Sequence, residues 1–287
     1  MKEEEGKGGR AKKKYNPYLI YLFRLVDKVT VNFVEDQPKI LSNIRVGYED
    51  YINDIDGKVV ILSKEAKILV IPYIHRSHEL YLKKVKKRLK PLRNIQLHGV
   101  FLTITSNPNV CNSYKDMHIR LSKAWNRLNS YIKYKYGNVP YLKVLEITKS
   151  GLLHLHVVFI GLKYLLPQDK LSKMLNKYGV GYVCHISYVQ RGRNAMSYVM
   201  KYLTKVHLNN KDKTNSKTNS KLDINHDLAA LTTALRARLF SISKTLQGNT
   251  LIRKEESEGG WEYIGTYPDK HIGYGILDMD YIQYIYS

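Results

Sequence analysis

The stretch that most constrains this chain is residues 141–160, YLKVLEITKSGLLHLHVVFI. Two apolar, β-branched segments flank Lys149-Ser150-Gly151, which has the composition of a tight turn, so the stretch predicts a β-hairpin. Successive side chains of a strand point to opposite faces, so His154 and His156 share one face and the apolar residues that alternate with them take the other. The sequence therefore predicts a hairpin with one polar and one apolar side.

The register of this hairpin decides what lies beside the histidines. If the hairpin is symmetric about Ser150, Glu146 lies directly opposite His154, with Cβ atoms about 4.5–5.5 Å apart. A two-residue turn would instead place Glu146 opposite Leu153. In the first register two imidazoles and a carboxylate converge on one face, which is a ligand set for a metal ion with open coordination positions. The plainer interpretation of the two histidines is a pair of partly exposed polar residues.

The charge of the chain indicates a polyanionic partner. Lys and Arg total 47 against 25 Asp and Glu, a net charge of +22 with a pI near 9.7, and nucleic acid is the usual partner of such a protein. A basic helix over residues 79–90 would present either a phosphate-contacting face or an ordinary solvated surface. The side chains assigned to DNA contact are Lys83, Lys84, Lys86, Lys87, Arg88, Arg191 and Arg193.

Several classes of protein are disfavoured by the sequence. The two cysteines, Cys111 and Cys184, have neither zinc-site nor disulfide-scaffold spacing, which favours a reducing, intracellular setting. No apolar run is long enough to cross a membrane. Residues 1–14 lack the apolar segment of a signal peptide and are expected to form a disordered basic tail. No GxxxxGK[ST] motif occurs, so the chain carries no P-loop motor.

The order of predicted elements around the hairpin defines a fold class. Residues 100–105 alternate as a strand, with Phe101, Thr103 and Thr105 on one face. A helix over 116–136, the hairpin, a short helix from Pro167 and a strand at 182–189 follow. This βαββαβ order predicts an α+β domain of the RRM or ferredoxin-like type, with a four- to five-stranded antiparallel sheet and helices on one face. The predicted metal ligands would occupy the free face.

The remaining segments suggest accessory regions. We divide the chain into a tail (1–14), an N-terminal accessory region (15–96), the nuclease domain (97–207), a polar linker (208–224) and a C-terminal accessory region (225–287). The linker contains KTNS twice in tandem and has nothing to bury. Within the last region, a helix over 226–245 and short strands near the end are expected.

A helix over residues 193–206 is the second chemically informative stretch. At 100° per residue, Tyr198, Lys201, Tyr202 and Lys205 fall on one face, opposite the methionines, valines and leucine of the same helix. Tyrosines that belonged to the core would lie on the apolar face instead. The alternative is a helix that exposes ordinary tyrosines and lysines to solvent.

Together these residues suit cleavage of a phosphodiester bond. A divalent ion at the predicted site would act as a Lewis acid on the phosphate. A tyrosine hydroxyl within reach could attack phosphorus, giving a covalent phosphotyrosine and a free 3′-hydroxyl. Phenol, with a pKa of about 10, needs assistance near pH 7. Lys201, one turn from Tyr198, could stabilise the developing negative charge.

Three blocks in this order resemble the HUH endonucleases, the rolling-circle replication initiators and their relatives. VFLTIT resembles the first motif of that family, and Glu146 followed by HLHVV resembles its metal-binding motif. YVMKYLTK, residues 198–205, is similar to the two-tyrosine motif Y-x-x-K-Y-x-x-K. The resemblance covers roughly residues 97–206.

The resemblance implies metal-dependent, site-specific nicking of single-stranded or cruciform origin DNA, a 5′-phosphotyrosine link and later rejoining. It assigns Glu146, His154 and His156 as ligands of Mn²⁺ or Mg²⁺, and Tyr198 and Tyr202 as alternating nucleophiles. Many relatives use one tyrosine, which would make Tyr198 primary and Lys201 its partner. The setting implied is intracellular, for a plasmid or virus of a prokaryote, with a host helicase to unwind the DNA.

Two other functions remain open from the sequence. A transposase or relaxase of a mobile element would use the same chemistry, and the sequence separates these poorly. A non-catalytic module that binds single-stranded nucleic acid could use the same sheet, and it would place aromatic residues at stacking positions on the two central strands. The central strands offer mainly His and Thr, which favours the enzyme.

Overall fold

The fold is described from a computed structural model. It describes residues 16–64, 67–76, 78–96, 98–189, 194, 197–198, 201, 219–248, 262–268 and 275–278. Among these residues, no helix combines the length and the hydropathy that a membrane crossing requires.

The helices and strands are numbered here in chain order. The helices are α1 (Pro17–Asp27), α2 (Phe33–Ile55), α3 (Glu79–Leu89), α4 (Tyr114–Tyr136), α5 (Gln168–Lys177), α6 (Asn219–Ala234) and α7 (Lys244–Gly248). The strands are β1 (Lys58–Lys64), β2 (Lys67–Pro72), β3 (Gly99–Thr105), β4 (Tyr141–Ile147), β5 (Leu153–Ile160), β6 (Cys184–Val189), β7 (Phe240–Ile242), β8 (Glu262–Pro268) and β9 (Gly275–Asp278). Short 3₁₀ turns lie at Lys90–Asn94 and Pro108–Val110.

Five of the described strands form the sheet on which the predicted site lies. Its order is β6-β3-β5-β4-β7, and all neighbours are antiparallel. The four strands of the predicted βαββαβ unit thus take the order fourth-first-third-second, with β3 and β5 at the centre. The predicted α+β class and antiparallel sheet are confirmed, and β7 from the C-terminal region adds the fifth strand.

The β4–β5 hairpin has the symmetric register. Glu146 pairs with His154, and Ile147 pairs with Leu153. The five connecting residues close by a hydrogen bond from the Thr148 N–H to the Leu152 carbonyl, at 2.8 Å. Gly151 has a φ of +80°, and a Cβ there would meet the Tyr114 hydroxyl at 2.9 Å, so this position favours glycine in conformation and in space.

Helix α4 covers the apolar face of this sheet. The Ser113 hydroxyl caps its start by accepting from the Asp116 N–H at 3.1 Å, and Gly137, with a φ of +77°, follows its last residue. Trp125 projects from α4 onto β4 and β5, with its ring centroid 5.0 Å from that of Tyr141 and 6.1 Å from that of Phe159. Burial of these large side chains fixes the helix on the sheet.

The accessory regions are connected more closely than the predicted division suggests. Strands β8 and β9 flank the β1–β2 hairpin in a second sheet of order β8-β1-β2-β9, so segments from both accessory regions pair in one sheet. The division into five segments stays a prediction, and residues 1–14 and 208–218 lie outside the described residues.

Helix α6 differs from its predicted bounds. A helix over 226–245 was expected, whereas α6 runs from Asn219 to Ala234 and β7 follows at Phe240. A buried ion pair joins the helix to α2: Arg45 Nε lies 2.8 Å from an oxygen of Asp227, whose side chain is 7 % exposed. Apolar burial continues through Leu228, Ala229, Ala230 and Leu231, so the middle of the helix packs regardless of where it begins.

Candidate active site

The polar face of the five-stranded sheet brings the three predicted ligands together. Glu146 on β4 lies directly opposite His154 on β5, and His156 is two residues further along the same strand. Residues two apart in a strand share a face, so all three side chains project from the same side. The imidazole centroids of His154 and His156 are 5.9 Å apart.

His156 is held from both sides of its ring. Its Nε2 lies 2.7 Å from Oε2 of Glu146, and its Nδ1 lies 3.0 Å from the Thr103 hydroxyl. A carboxylate only accepts, so Nε2 carries the proton and Nδ1 accepts from Thr103 when the ring is neutral. The two side chains are 13 % and 20 % exposed, so this pair is shielded from water but remains reachable.

His154 is bound by a second threonine of the central strand. Its Nε2 lies 3.0 Å from the Thr105 hydroxyl. Burial lowers the pKa of His154 below its usual value, and the neighbouring His156 lowers it further, while Glu146 opposes both. The His154 ring is therefore neutral near pH 7, which is the form that binds metal ions.

Thr103 and Thr105 are site residues to which sequence reasoning gave no role. They pair across β3 and β5 with His156 and His154 respectively, which explains why each hydroxyl meets one imidazole. The signal was available, because the alternation of residues 100–105 puts both threonines on one face. What the sequence did not reveal was that β3 would lie beside the histidine strand in this register.

Phe101 connects the histidine face to the tyrosine segment. Its ring is stacked on that of His156, with centroids 5.5 Å apart, and meets the ring of Tyr198 edge-on at 6.1 Å. Tyr198 is helical, and its N–H donates to the Asn194 carbonyl at 3.1 Å. The structure therefore places Tyr198 on the same face as the candidate ligands, one aromatic ring away from His156.

The other residues of the tyrosine motif are described only in part. Lys201 is helical and exposed, one turn after Tyr198. Tyr202 and Lys205 lie outside the described residues, so their predicted roles stay predictions.

A third histidine on this face was not singled out from the sequence. His185 on β6 pairs with Thr103, on the side of β3 opposite to His156, and its side chain is exposed. Its position follows from the alternation of the sixth strand once that strand is known to border β3. Sequence reasoning placed the strand but not its neighbour.

The predicted basic helix is present as α3 and exposes most of its lysines. The imidazole of His78 caps it by accepting from the Leu80 N–H at 3.0 Å. Val85 and Leu89 are buried and anchor the helix. Its exposed side chains are Lys83, Lys84, Lys86 and Lys87. The backbone of Arg88 belongs to α3 but its side chain is not described, and Arg191 and Arg193 lie outside the described residues.

The three candidate ligands suit a divalent ion in kind and in spacing. Within the described ranges, no three His, Cys, Asp or Glu side chains stand as a ready-made metal site. Adjacent ligands of an octahedral ion, each about 2.1 Å from it, are about 3.0 Å apart, and the 2.7 Å between His156 and Glu146 is close to that separation. Thr105 leaves Nδ1 of His154 as the available nitrogen.

The antiparallel βαββαβ sheet, with histidine, glutamate and threonine on its open face, is consistent with the ferredoxin-like fold of HUH proteins. Residues 99–207 match a family model of replication-associated proteins, the ORF2 type. This match indicates a replication-associated protein and is consistent with a rolling-circle replication initiator. No curated protein and no solved structure matches the chain.

Proposed function

We propose that this chain is a metal-dependent endonuclease that nicks and rejoins DNA to initiate rolling-circle replication of a plasmid or virus. The observation that carries the proposal is the position of Tyr198. Its ring contacts Phe101, which is stacked on His156, so a candidate nucleophile and the candidate ligands share one sheet face. The family match at residues 99–207 supports the same function.

Glu146, His154 and His156 would hold Mn²⁺ or Mg²⁺. When bound, the ion would supply Lewis-acid polarisation of a phosphodiester. Imidazole ligands favour Mn²⁺, since Mg²⁺ prefers an oxygen-rich shell. The Thr103 hydroxyl both donates and accepts, so it can support Nδ1 of His156 whichever ring nitrogen carries the proton.

Tyr198 would act as the nucleophile. Its oxygen forms a bond to phosphorus, and the bond from phosphorus to the 3′-oxygen breaks. The phenolic proton is lost, and the departing 3′-oxygen gains one to become a free hydroxyl, so the step is balanced. Lys201, one helical turn away, would stabilise negative charge as it develops. Tyr202 would serve as the alternate nucleophile during rejoining.

The protein's charge would hold the single-stranded origin DNA. A net charge of +22 and the exposed lysines of α3 favour binding to a phosphate backbone. Because the chain has no P-loop motif, unwinding of the origin would depend on a host helicase.

The proposal is tested by a covalent adduct assay with position-specific labels. The protein is incubated with Mn²⁺ and single-stranded DNA of the candidate origin, labelled at either end, and then denatured. A 5′-phosphotyrosine link predicts that only the 3′-labelled strand remains attached. Tyr198→Phe should abolish the adduct, whereas the matched control Tyr182→Phe, at a residue 61 % exposed outside the site, should not.

Two outcomes would count against this function. An adduct that persists in the double variant Tyr198→Phe, Tyr202→Phe would remove the tyrosine mechanism. Tight DNA binding without an adduct in any divalent metal would favour the non-catalytic nucleic-acid-binding module. A transposase or relaxase would give the same adduct, and the origin or transposon-end sequence that is cut would distinguish it.

A further inference from the structure

A small cavity lies on the opposite side of the sheet from the candidate active site. Its volume is about 40 Å³. The polar residues around it are His118 and Ser122 on α4, Lys143 on β4 and Arg238 in the segment before β7. Lys143 is three residues from Glu146, so the alternation of β4 points the two side chains to opposite faces.

The cavity carries positive charge without a compensating acid. No Asp or Glu is among the described residues that line it. Lys143 is partly buried, with its ammonium 5.1 Å from the centre of the Trp125 ring, and Arg238 is exposed at the solvent side. Burial, and then the charge of Arg238, lower the pKa of Lys143 to about 8. Two cations held near each other in this way favour an anion between them.

The size of the cavity limits what it can hold. One water needs about 10–15 Å³ of such space, so about 40 Å³ accommodates three or four atoms of that size. That suits the oxygens of one tetrahedral oxyanion and is too small for a nucleobase. The donors come from three separate elements, which also suits a tetrahedral acceptor better than a planar one.

We propose that the cavity formed by His118, Ser122, Lys143 and Arg238 binds one phosphate group, from either a nucleic-acid backbone or a free phosphate. The ammonium and guanidinium would give charge-assisted hydrogen bonds, with the hydroxyl and imidazole as further donors. This site shares no residue with the candidate active site. It would therefore hold a phosphate on the back of the sheet during events on the front.

The chain offers an internal reporter for this site. It has two tryptophans, Trp125 and Trp261, and Trp125 lies beside the Lys143 ammonium. In a Trp261→Phe background, titration with inorganic phosphate at constant ionic strength should change the Trp125 fluorescence with saturation. Acetate at the same ionic strength serves as the control anion.

Two variants test the assignment independently. Lys143→Met keeps the length of the stem against Trp125 and removes the charge, and should raise the phosphate dissociation constant at least about tenfold. Arg238→Gln should raise it as well, and it guards against loss of folding in the first variant. Lys149→Met, at an exposed lysine of the hairpin turn, is the matched control and should bind as the parent does.

A competition experiment separates the two sources of phosphate. If the site takes a backbone phosphate, a short oligothymidylate displaces inorganic phosphate, and Lys143→Met lowers the salt dependence of DNA binding by about 0.7 in the log–log slope. If it takes a free phosphate, the oligonucleotide leaves the Trp125 signal unchanged. Both outcomes support a phosphate site.

The proposal fails if phosphate gives no saturable change in Trp125 fluorescence. It also fails if phosphate raises the melting temperature equally in the parent, Lys143→Met and Arg238→Gln proteins. Its failure is separable from that of the proposed nicking activity, because His156→Ala should lose the covalent adduct while its response to phosphate stays intact.

Discussion

The two faces of the five-stranded sheet are built from the same strands but behave as different materials. On one face, His154, His156 and Glu146 contact one another and the threonines of β3. On the other, Phe159 is fully buried beneath Trp125. Because strands alternate, each residue of β5 that serves chemistry is followed by one that serves packing. The difference teaches that substitutions one position apart should fail in different ways.

The largest expected effect is on the packed face. Phe159→Ala should lower the free energy of unfolding by about 3–5 kcal/mol, because it removes a fully buried ring from against Trp125 and leaves a cavity. Urea denaturation measures this change. Phe101→Ala, a partly buried ring on the polar face, is the control and should cost less than half as much while lowering adduct formation. Equal losses of stability would erase the distinction between the faces.

On the polar face, His156→Ala should reduce the rate of adduct formation at least about 100-fold. It should cost only about 1–2 kcal/mol in stability, because it removes hydrogen bonds rather than packing. Single-turnover kinetics and urea denaturation on the same samples measure both quantities. The comparison variant is His185→Ala, an exposed histidine on the same face, which should keep most activity. A reversed ranking of the two variants would remove His156 from the ligand set.

The threonine behind His156 gives a smaller and more specific effect. Thr103→Val preserves shape but deletes the hydroxyl at 3.0 Å from Nδ1, and should raise the Mn²⁺ concentration needed for half-maximal activity about tenfold. Thr103→Ser, which keeps the hydroxyl, should restore the original metal dependence. If the valine variant changes the maximal rate without changing the metal dependence, Thr103 does not support the ligand.

The smallest effect concerns the charge on the packed face. Since the pKa of Lys143 falls from 10.5 to about 8 on folding, the unfolded chain binds more protons between these pH values, and stability from this group rises with pH across that window. In phosphate-free buffer, Lys143→Met should therefore be more stable than the parent at pH 7, by about 1–2 kcal/mol, and this advantage should shrink towards pH 10.

Denaturation of Lys143→Met and of the exposed-site control Lys149→Met, from pH 7 to pH 10, measures that trend. The control should show no such convergence with the parent. A constant difference between Lys143→Met and the parent at every pH would mean that the charge of Lys143 is not strained by folding.

Sequence patterns predicted the parts of the fold that depend on near neighbours. The register of Glu146 with His154 depends on a five-residue connection, and the helix around Trp125 depends on apolar spacing over a few turns. The class of the sheet followed from the order of these local elements. Such features are encoded within about twenty residues of one another.

Contacts between distant segments were not predictable in the same way. Nothing near Phe101 indicates that its ring will lie between His156 and Tyr198, and nothing near Arg238 indicates that it will face Lys143. The early start of α6 at Asn219 was missed for a related reason, since a polar segment without apolar periodicity gives no helical signal. These features depend on packing between parts of the chain that no window of sequence contains.

The second sheet has a consequence for how the protein is made. The β1–β2 hairpin leaves the ribosome with both of its edges open, and the strands that cover them, β8 and β9, are synthesised about 190 residues later. At translation rates of about 5–20 residues per second, that gap lasts about 10–40 s. Nascent chains interrupted before residue 262 would keep two sticky margins, which makes premature termination a source of aggregates.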